Sequence, residues 1–306
     1  MTSLPASKIQ TQEWLSIANT RSWRTMANHC EIIFIIIATF LITACHSLPI
    51  ERPPLIEGVV WQLDDATVDA RGNWQKIGAK SLLVQWISVD GIRYMHDEKP
   101  PKARRLPDWS RISAEPWAQE VILGLAGRFD ETTARADLAG LLTESARLAK
   151  FSTPLNVVGW YFPVEVDSSW RESSKLGLML AQLPRPLWIS IYDSQNIGAV
   201  PFAQWLSSWL PTDVGIFFQD GVGVYARTAV VARQYVEALS HQLGSSRVKV
   251  IAEAFRPKPE GGFRSATLSE ITPQLIAYRG FPIYLFDGPH YVSNQLVEEI
   301  HHQFNK

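Results

Sequence analysis

Cysteine is nearly absent from this sequence, and so is any excess of charge of one sign. Cys30 and Cys45 are the only cysteines among 306 residues, and both fall in the amino-terminal segment. No disulfide and no cysteine-ligated metal site is therefore expected in the remainder of the chain. The formal net charge is −1, so nothing suggests a nucleic acid or another polyanion as a partner.

Several catalytic motifs are missing as well. The sequence contains no Gly-x-Ser-x-Gly elbow, no His-Glu-x-x-His helix and no phosphate-cradling glycine loop. No glycine fingerprint follows the first apolar run, which argues against a dinucleotide-binding sheet. Lys249 lies early in its apolar run, so no lysine stands out as a Schiff-base nucleophile. The sequence predicts no cofactor.

The first 45 residues have the pattern of a targeting segment. Arg21 and Arg24 precede the apolar run Ile32–Ala44, which is shorter than the roughly 20 residues that a membrane span requires and is typical of a signal-peptide core. The run ends Leu-Ile-Thr-Ala-Cys45. This ending resembles the lipobox of bacterial lipoproteins, in which the cysteine is lipidated and becomes the new amino terminus. An ordinary signal peptide and an uncleaved anchor are the alternatives.

Eight short apolar runs recur along residues 58–293, with amphipathic stretches between them. The runs show little apolar–polar alternation, which is typical of strands buried on both faces of a parallel sheet. Because strand–helix alternation demands a parallel sheet, eight repeats predict a closed (β/α)₈ TIM barrel of the α/β class. The predicted strands cover 58–63, 81–87, 120–126, 156–162, 186–192, 214–219, 247–253 and 281–286.

These patterns predict the organisation and location of the chain. We expect a signal segment over 1–45, a proline-containing tether over 46–56 and a single barrel domain over 57–306. His46, and not aspartate, follows Cys45. By resemblance to lipoprotein sorting, this favours the outer membrane. We therefore predict a cell-envelope protein that is bound to the membrane by lipid on Cys45 and faces the periplasm or the cell surface.

The carboxyl ends of barrel strands converge on one mouth, where TIM-barrel enzymes build their sites. Carboxylates there can perform acid–base chemistry, amides can bind hydroxyl groups, and aromatic rings can stack on sugars. Two residues at these ends, Glu165 and Glu253, are predicted to be catalytic. The predicted substrate-binding residues are Trp61, Gln62, Gln85, Trp86, Tyr161, Tyr192, Gln219, Asp220, Phe255 and Asp287.

Glutamates at the ends of the fourth and seventh strands resemble the arrangement in retaining glycoside hydrolases built on TIM barrels. The runs Gly-Trp-Tyr-Phe-Pro-Val-Glu165 and Phe-Gln-Asp-Gly-Val-Gly223 are also similar to those of an uncharacterised bacterial family of glycosidase-like barrels, over residues 57–300. The resemblance implies a polysaccharide substrate, with Glu165 as acid/base and Glu253 as nucleophile. The enzymes usually have asparagine before the first glutamate, where this chain has Val164.

Other functions stay open. A carbohydrate-binding or polysaccharide-assembly lipoprotein could keep the cleft without hydrolysis, as the valine at 164 favours. A metal-dependent hydrolase using Asp64, Asp220, Asp287 and His290 is a third hypothesis, which the scarcity of histidine at strand ends disfavours. A salt bridge to Arg128, Arg256 or Arg264 is the structural alternative for either glutamate. The sequence leaves the oligomeric state open.

Overall fold

The structure is a computed structural model that describes residues 52–96 and 101–304. The predicted leader, the lipobox cysteine Cys45 and most of the predicted tether lie outside the described residues. Within these two ranges, no helix is both long enough and apolar enough to cross a membrane.

Eight parallel strands close into a barrel, which confirms the predicted fold class. Each strand pairs with its neighbours in the sequence, and the last strand pairs with the first. The eighth strand begins directly after Pro282, as expected because proline has no N–H for the ladder. The strands are β1 (Ile56–Trp61), β2 (Ser81–Val84), β3 (Glu120–Gly124), β4 (Val157–Asp167), β5 (Leu187–Tyr192), β6 (Val214–Gln219), β7 (Val248–Glu253) and β8 (Ile283–Phe286).

Helices cover the outside of the barrel. A single 3₁₀ turn, Trp74–Ile77, follows β1, where the sequence leaves room for little more. The amphipathic stretch after β3 forms two helices that meet at Asp137, whose backbone departs from helical geometry while its carboxylate binds the Arg128 guanidinium at 2.7 Å. The α-helices are α1 (Trp109–Ser113), α2 (Glu131–Ala136), α3 (Leu138–Leu148), α4 (Ser173–Met179), α5 (Ala199–Ser207), α6 (Ala229–Leu243), α7 (Leu268–Ala277), α8 (Gly288–Tyr291) and α9 (Asn294–Phe304).

Two short sheets stand beside the barrel. Ser88–Val89, after β2, pairs with Ile92–Arg93 on one side and with Ala126–Gly127, after β3, on the other. After β7, Phe255–Pro257 and Phe263–Ser265 form an antiparallel hairpin, with Pro257 opposite Phe263. This hairpin, named here the β7 hairpin, stands on the side of the barrel that holds the carboxyl ends of the strands.

Successive side chains on a strand point to opposite faces of the sheet, so the buried side chains form two separate cores. Side chains of one parity fill the barrel interior and are called here the plug: Val60, Leu83, Ile122, Tyr161, Phe217, Ile251 and Tyr284. Side chains of the other parity pack outward against the helices. Because successive side chains on a strand point to opposite faces, the residue two positions after a plug residue faces the mouth. Gln62, Gln85, Gln219, Glu253 and Phe286 occupy such positions.

Three predicted substrate-binding aromatics belong to these cores, which corrects their assignment. Trp61 is fully buried, its Nε1 donates to Thr67 Oγ1 at 3.1 Å, and its ring packs against Trp109. Trp86 is buried, and its Nε1 donates to the Leu63 carbonyl at 2.8 Å. Tyr161 lies in the plug. None of these rings offers an open face on which a sugar could stack.

Candidate active site

A cleft of about 320 Å³ opens at the mouth of the barrel. The cleft brings together Glu165 from β4 and Glu253 from β7, surrounded mainly by apolar and aromatic side chains, a composition typical of ligand sites. A larger groove of about 580 Å³ lies between α5 and α6, outside the barrel and away from the strand ends. The residues that line the mouth cleft are Glu165, Tyr192, Gln219, Val224, Ile251, Glu253, Phe255 and Phe286.

Backbone amides hold the carboxylate of Glu253. Its Oε2 accepts hydrogen bonds from the N–H groups of Gly223, at 2.7 Å, and Val224, at 3.3 Å. A Cβ atom at position 223 would lie only 2.6 Å from the Cβ of Glu253, so this approach requires glycine. This contact explains the second glycine of the Gln-Asp-Gly-Val-Gly run, which lets the loop after β6 approach the carboxylate of Glu253.

Asp220 lies beneath Glu253 and is fully buried. Its Oδ1 accepts hydrogen bonds from the backbone N–H groups of Val222, at 3.1 Å, and Glu253, at 3.3 Å. Its Oδ2 accepts from Gln274 Nε2 at 2.6 Å and from the Tyr278 hydroxyl at 2.9 Å. Burial raises the pKa of Asp220, and these donors oppose that shift. Asp220 therefore positions Glu253 and does not bind substrate directly, which corrects its predicted role.

Removing the carboxylate of Asp220 is expected to destabilise the fold strongly. In Asp220→Ala, the Tyr278 hydroxyl, the Gln274 amide and two backbone N–H groups lose their acceptor. We expect the free energy of unfolding to fall by about 3–5 kcal/mol, measured by urea denaturation. Asp220→Asn is the matched control, because its amide oxygen still accepts the two backbone bonds. Equal losses in the two variants would contradict this account.

The backbone of Glu165 is held by helix α2. The N–H of Glu165 donates to Glu131 Oε2 at 3.0 Å, and Arg135 donates to the Glu165 carbonyl from Nε at 3.3 Å and from Nη2 at 2.9 Å. Sequence reasoning missed Glu131 and Arg135. Glu131 follows the N-cap Asp130, and an acidic residue in a first helical turn is already explained by the helix dipole.

Burial and mutual repulsion raise the pKa values of the acidic groups around the cleft. Burial is the largest cause for Glu165, whose pKa is raised. For Glu253, burial comes first, followed by the charges of Asp220 and, less strongly, Glu165. Burial and the charge of Glu165 raise the pKa of Glu131 to about 8. The carboxyl groups around the cleft therefore stay protonated to a higher pH than exposed carboxyl groups do.

No arginine named as a structural partner neutralises either cleft carboxylate in the described residues. Arg128 pairs with Asp137, and Arg264 pairs with Glu270 at 2.8 Å. Arg256 donates to the carbonyl oxygen of Glu253, at 3.1 Å, and not to its carboxylate. None of these three arginines therefore pairs with the carboxylate of Glu165 or Glu253, while the charge of Arg135 partly opposes the raised pKa of Glu165.

Asp287 has a structural role, because its hydrogen bonds join two strand ends, and it does not line the cleft. It is fully buried, and its Oδ2 accepts from the Gln62 N–H at 3.0 Å and lies 2.8 Å from His290 Nδ1. His290 Nε2 lies 3.2 Å from Asp64 Oδ2. Burial raises the pKa of Asp287 to about 6, while the hydrogen bond that His290 makes to the Asp287 carboxylate raises the pKa of His290. This chain of bonds joins the ends of β8 and β1.

The remaining predicted residues either line the cleft or face the barrel mouth outside it. Tyr192, Gln219 and Phe255 line the cleft, and their contact with a ligand stays a prediction. Gln62 and Gln85 face the mouth by strand alternation but do not line this cleft. Gln85 Oε1 is buried and has no hydrogen-bond partner among the described residues.

The described residues give little support to a metal site. Within 52–96 and 101–304, no group of three or more His, Cys, Asp or Glu side chains is arranged to hold a metal ion. Asp64, Asp287 and His290 are joined to one another by hydrogen bonds, whereas Asp220 is bound to Gln274 and Tyr278. The four residues of the metal-dependent hypothesis therefore do not form one cluster.

Comparison with known proteins supports the fold. No protein-family model matches the chain. The uncharacterised protein YbcH of Escherichia coli (strain K12) is 24% identical over 216 residues, which are 60% of this chain and 71% of that protein. The crystal structure of a candidate alpha-L-fucosidase from Bacteroides thetaiotaomicron matches with a TM-score of 0.52 and 15% identity, over 85% of this chain and 95% of the other. The chain therefore shares its barrel fold with that structure.

Proposed function

We propose that this protein is a glycoside hydrolase that cleaves a polysaccharide by a retaining double displacement. The observation that carries the proposal is the placement of Glu165 and Glu253 in one cleft at the barrel mouth. Two carboxyl groups on either side of a glycosidic bond are the usual machinery of this reaction. The barrel shared with a candidate fucosidase supports the same class of chemistry.

In this mechanism Glu253 acts as the nucleophile. Its ionised carboxylate attacks the anomeric carbon and forms a glycosyl ester, while Glu165 donates its proton to the departing oxygen. Glu165, now ionised, then takes a proton from water, and the resulting hydroxide equivalent releases the sugar and restores Glu253. The amides of Gly223 and Val224 fix the orientation of the nucleophile.

The charges in the cleft favour the state that the mechanism requires, in which Glu165 and Glu253, the glutamate pair, carry one proton between them. Both carboxyl groups are buried, and the charge of Glu165 raises the pKa of Glu253, so ionising one glutamate makes the ionisation of the other less favourable. A pair that holds one proton supplies an acid and a nucleophile together. The pair becomes inactive when it gains a second proton at low pH or loses its last proton at high pH, so activity follows a bell-shaped pH profile.

A panel of sugars tests the proposed function. The panel comprises the 4-nitrophenyl glycosides and the hexasaccharides of β-1,4-glucan, β-1,3-glucan, chitin, starch and xylan, with 4-nitrophenyl α-L-fucoside added. We expect the full-length protein to cleave at least one sugar type and the Glu165→Gln/Glu253→Gln double variant to cleave none. Equal turnover by the two proteins would remove the glutamate pair from the reaction.

A carbohydrate-binding or polysaccharide-assembly protein is the second candidate function. Val164, at the position where retaining enzymes usually have asparagine, favours it, because valine cannot hydrogen-bond to a sugar hydroxyl. Binding of a panel hexasaccharide without turnover, measured by calorimetry, would establish this second function in place of the first.

We also propose that lipid on Cys45 tethers the protein to the membrane, in the cell envelope. The supporting observation is the sequence Leu-Ile-Thr-Ala-Cys45 behind an apolar run. We expect Cys45→Ser to move the protein from the membrane pellet to the supernatant after cell fractionation. Cys30→Ser is the matched control and should leave the protein in the pellet, because Cys30 would depart with the leader. Cys45→Ser protein that stays in the pellet would indicate an uncleaved anchor.

A further inference from the structure

A row of aromatic rings, named here the aromatic strip, leads from the cleft to the surface. Phe286 and Phe255 line the cleft, and their ring centroids lie 6.0 Å apart. The next ring, Phe263, packs edge-on against Phe255 with centroids 4.7 Å apart. Phe255 is 7% exposed, whereas Phe263 is 43% exposed. The wall of the cleft thus continues outward as an apolar surface that ends in solvent.

The outer end of the strip is held by ordered structure. Phe263 lies in the β7 hairpin opposite Pro257, and the next residue, Arg264, makes a two-point ion pair with Glu270, with both contacts at 2.8 Å. Glu270 also completes the capping box at the start of α7. The exposed ring is therefore fixed in place before a ligand arrives, which reduces the entropy cost of binding.

A second exposed ring stands on the neighbouring loop. Tyr225 is 64% exposed and directly follows Val224, a cleft residue. Its φ of +60° is unusual for a residue other than glycine. Such conformations persist where the surrounding structure enforces them, and they cluster at ligand sites. Two loops, after β6 and after β7, thus present exposed aromatic rings beside the cleft.

We propose that Phe263, together with Phe255 and Tyr225, forms an outer subsite for a second sugar unit, so that the ligand is an oligosaccharide chain that leaves the cleft over the β7 hairpin. The proposal rests on the proposed function, since the chain would be the polysaccharide on which the glutamate pair acts. Aromatic rings suit this ligand because a sugar ring has an apolar face that gains by leaving water.

Substrate length tests this proposal. The probes are the hexasaccharides and 4-nitrophenyl glycosides of the panel, because a 4-nitrophenyl glycoside carries a single sugar. We expect Phe263→Ala to lower kcat/KM about tenfold on a cleaved hexasaccharide, from the lost burial of apolar surface. The same variant should stay within about twofold of the wild type on the matching 4-nitrophenyl glycoside.

Two further variants separate the subsite from damage to the fold. Phe263→Trp keeps an aromatic face and should restore activity on the hexasaccharide. Leu178→Ala removes an exposed apolar side chain on α4, outside the barrel, and should change neither activity. Equal losses on both probes in Phe263→Ala, or no loss on either, would overturn the subsite. Wild-type protein that cleaves neither probe type would instead overturn the proposed function, and the subsite with it.

Discussion

Replacing Glu253 with glutamine is expected to abolish hydrolysis, with kcat/KM falling by about 10⁴-fold or more. A glutamine amide cannot form the glycosyl ester, so the first displacement stops. The fold should survive, because the amide oxygen of glutamine can still accept the hydrogen bond from Gly223. The melting temperature should equal or exceed that of the wild type, since the variant removes a buried charge that lies near Asp220.

Initial rates on a cleaved panel substrate and a thermal melt measure this prediction together. Glu237→Gln is the matched control, because Glu237 lies on α6 outside the barrel and pairs with Arg233 on the surface. The control should keep wild-type turnover, although it removes the same charge. Unchanged turnover in Glu253→Gln would exclude Glu253 as the nucleophile, and a lowered melting temperature would contradict the view that its buried charge is costly.

Replacing Glu165 with glutamine is expected to reduce turnover in a way that depends on the leaving group. General acid catalysis contributes about 10²–10⁴-fold, and a sugar hydroxyl needs a proton to depart, whereas 4-nitrophenolate departs without one. Glu165→Gln should therefore lose about 10³-fold on a hexasaccharide and far less in the first displacement on the 4-nitrophenyl glycoside. Equal losses in that step on the two substrates would contradict the role of Glu165 as an acid.

The pH profile of the same variant gives a second measurement. In the wild type, Glu165 acts in its protonated form, which is present below its raised pKa and is lost as the pH rises through that value. The alkaline decline in kcat/KM should therefore disappear in Glu165→Gln on the 4-nitrophenyl glycoside. The acidic decline should remain, because it reports protonation of Glu253. An alkaline decline that persists unchanged would assign it to another group.

The barrel could be predicted from the sequence because each of its strands is a separate apolar run. Parallel strands buried on both faces need such runs, and the helices between them show their own spacing. All eight predicted strands begin within two residues of the observed strands. The hairpin after β7 could not be predicted in the same way, because strands of three residues leave little pattern.

The site could be predicted only in part, because continuous apolar runs do not reveal which side chains face the barrel interior. A shift of one residue moves a side chain from the mouth to the helix layer. Trp61 and Gln62 show this effect. Because the side chain of Val60 points into the barrel interior, that of Gln62 faces the mouth and that of Trp61 packs in the outer core against the helices. Glu165 and Glu253 have the parity that faces the cleft.

Other features of the site depend on contacts between distant segments. Asp220 precedes a glycine and has the pattern of a turn, yet its carboxylate accepts hydrogen bonds from Gln274 in α7 and from Tyr278 directly after α7. Glu131 has the pattern of an ordinary helix start, yet it binds the backbone of Glu165. Such pairs cannot be predicted from local sequence patterns, because a turn or a helix start already accounts for the residue at each position.

The stereochemistry of the first product tests the central claim most directly. Proton NMR of the anomeric signal, recorded during the first minutes of hydrolysis of a panel hexasaccharide, shows whether the newly released sugar end keeps the configuration of the bond that was cut. If the glutamate pair works by double displacement, we expect the released sugar end to retain the anomeric configuration of the bond that was cut. Release of the inverted anomer would contradict the account, because it would mean that water, and not Glu253, attacks the sugar.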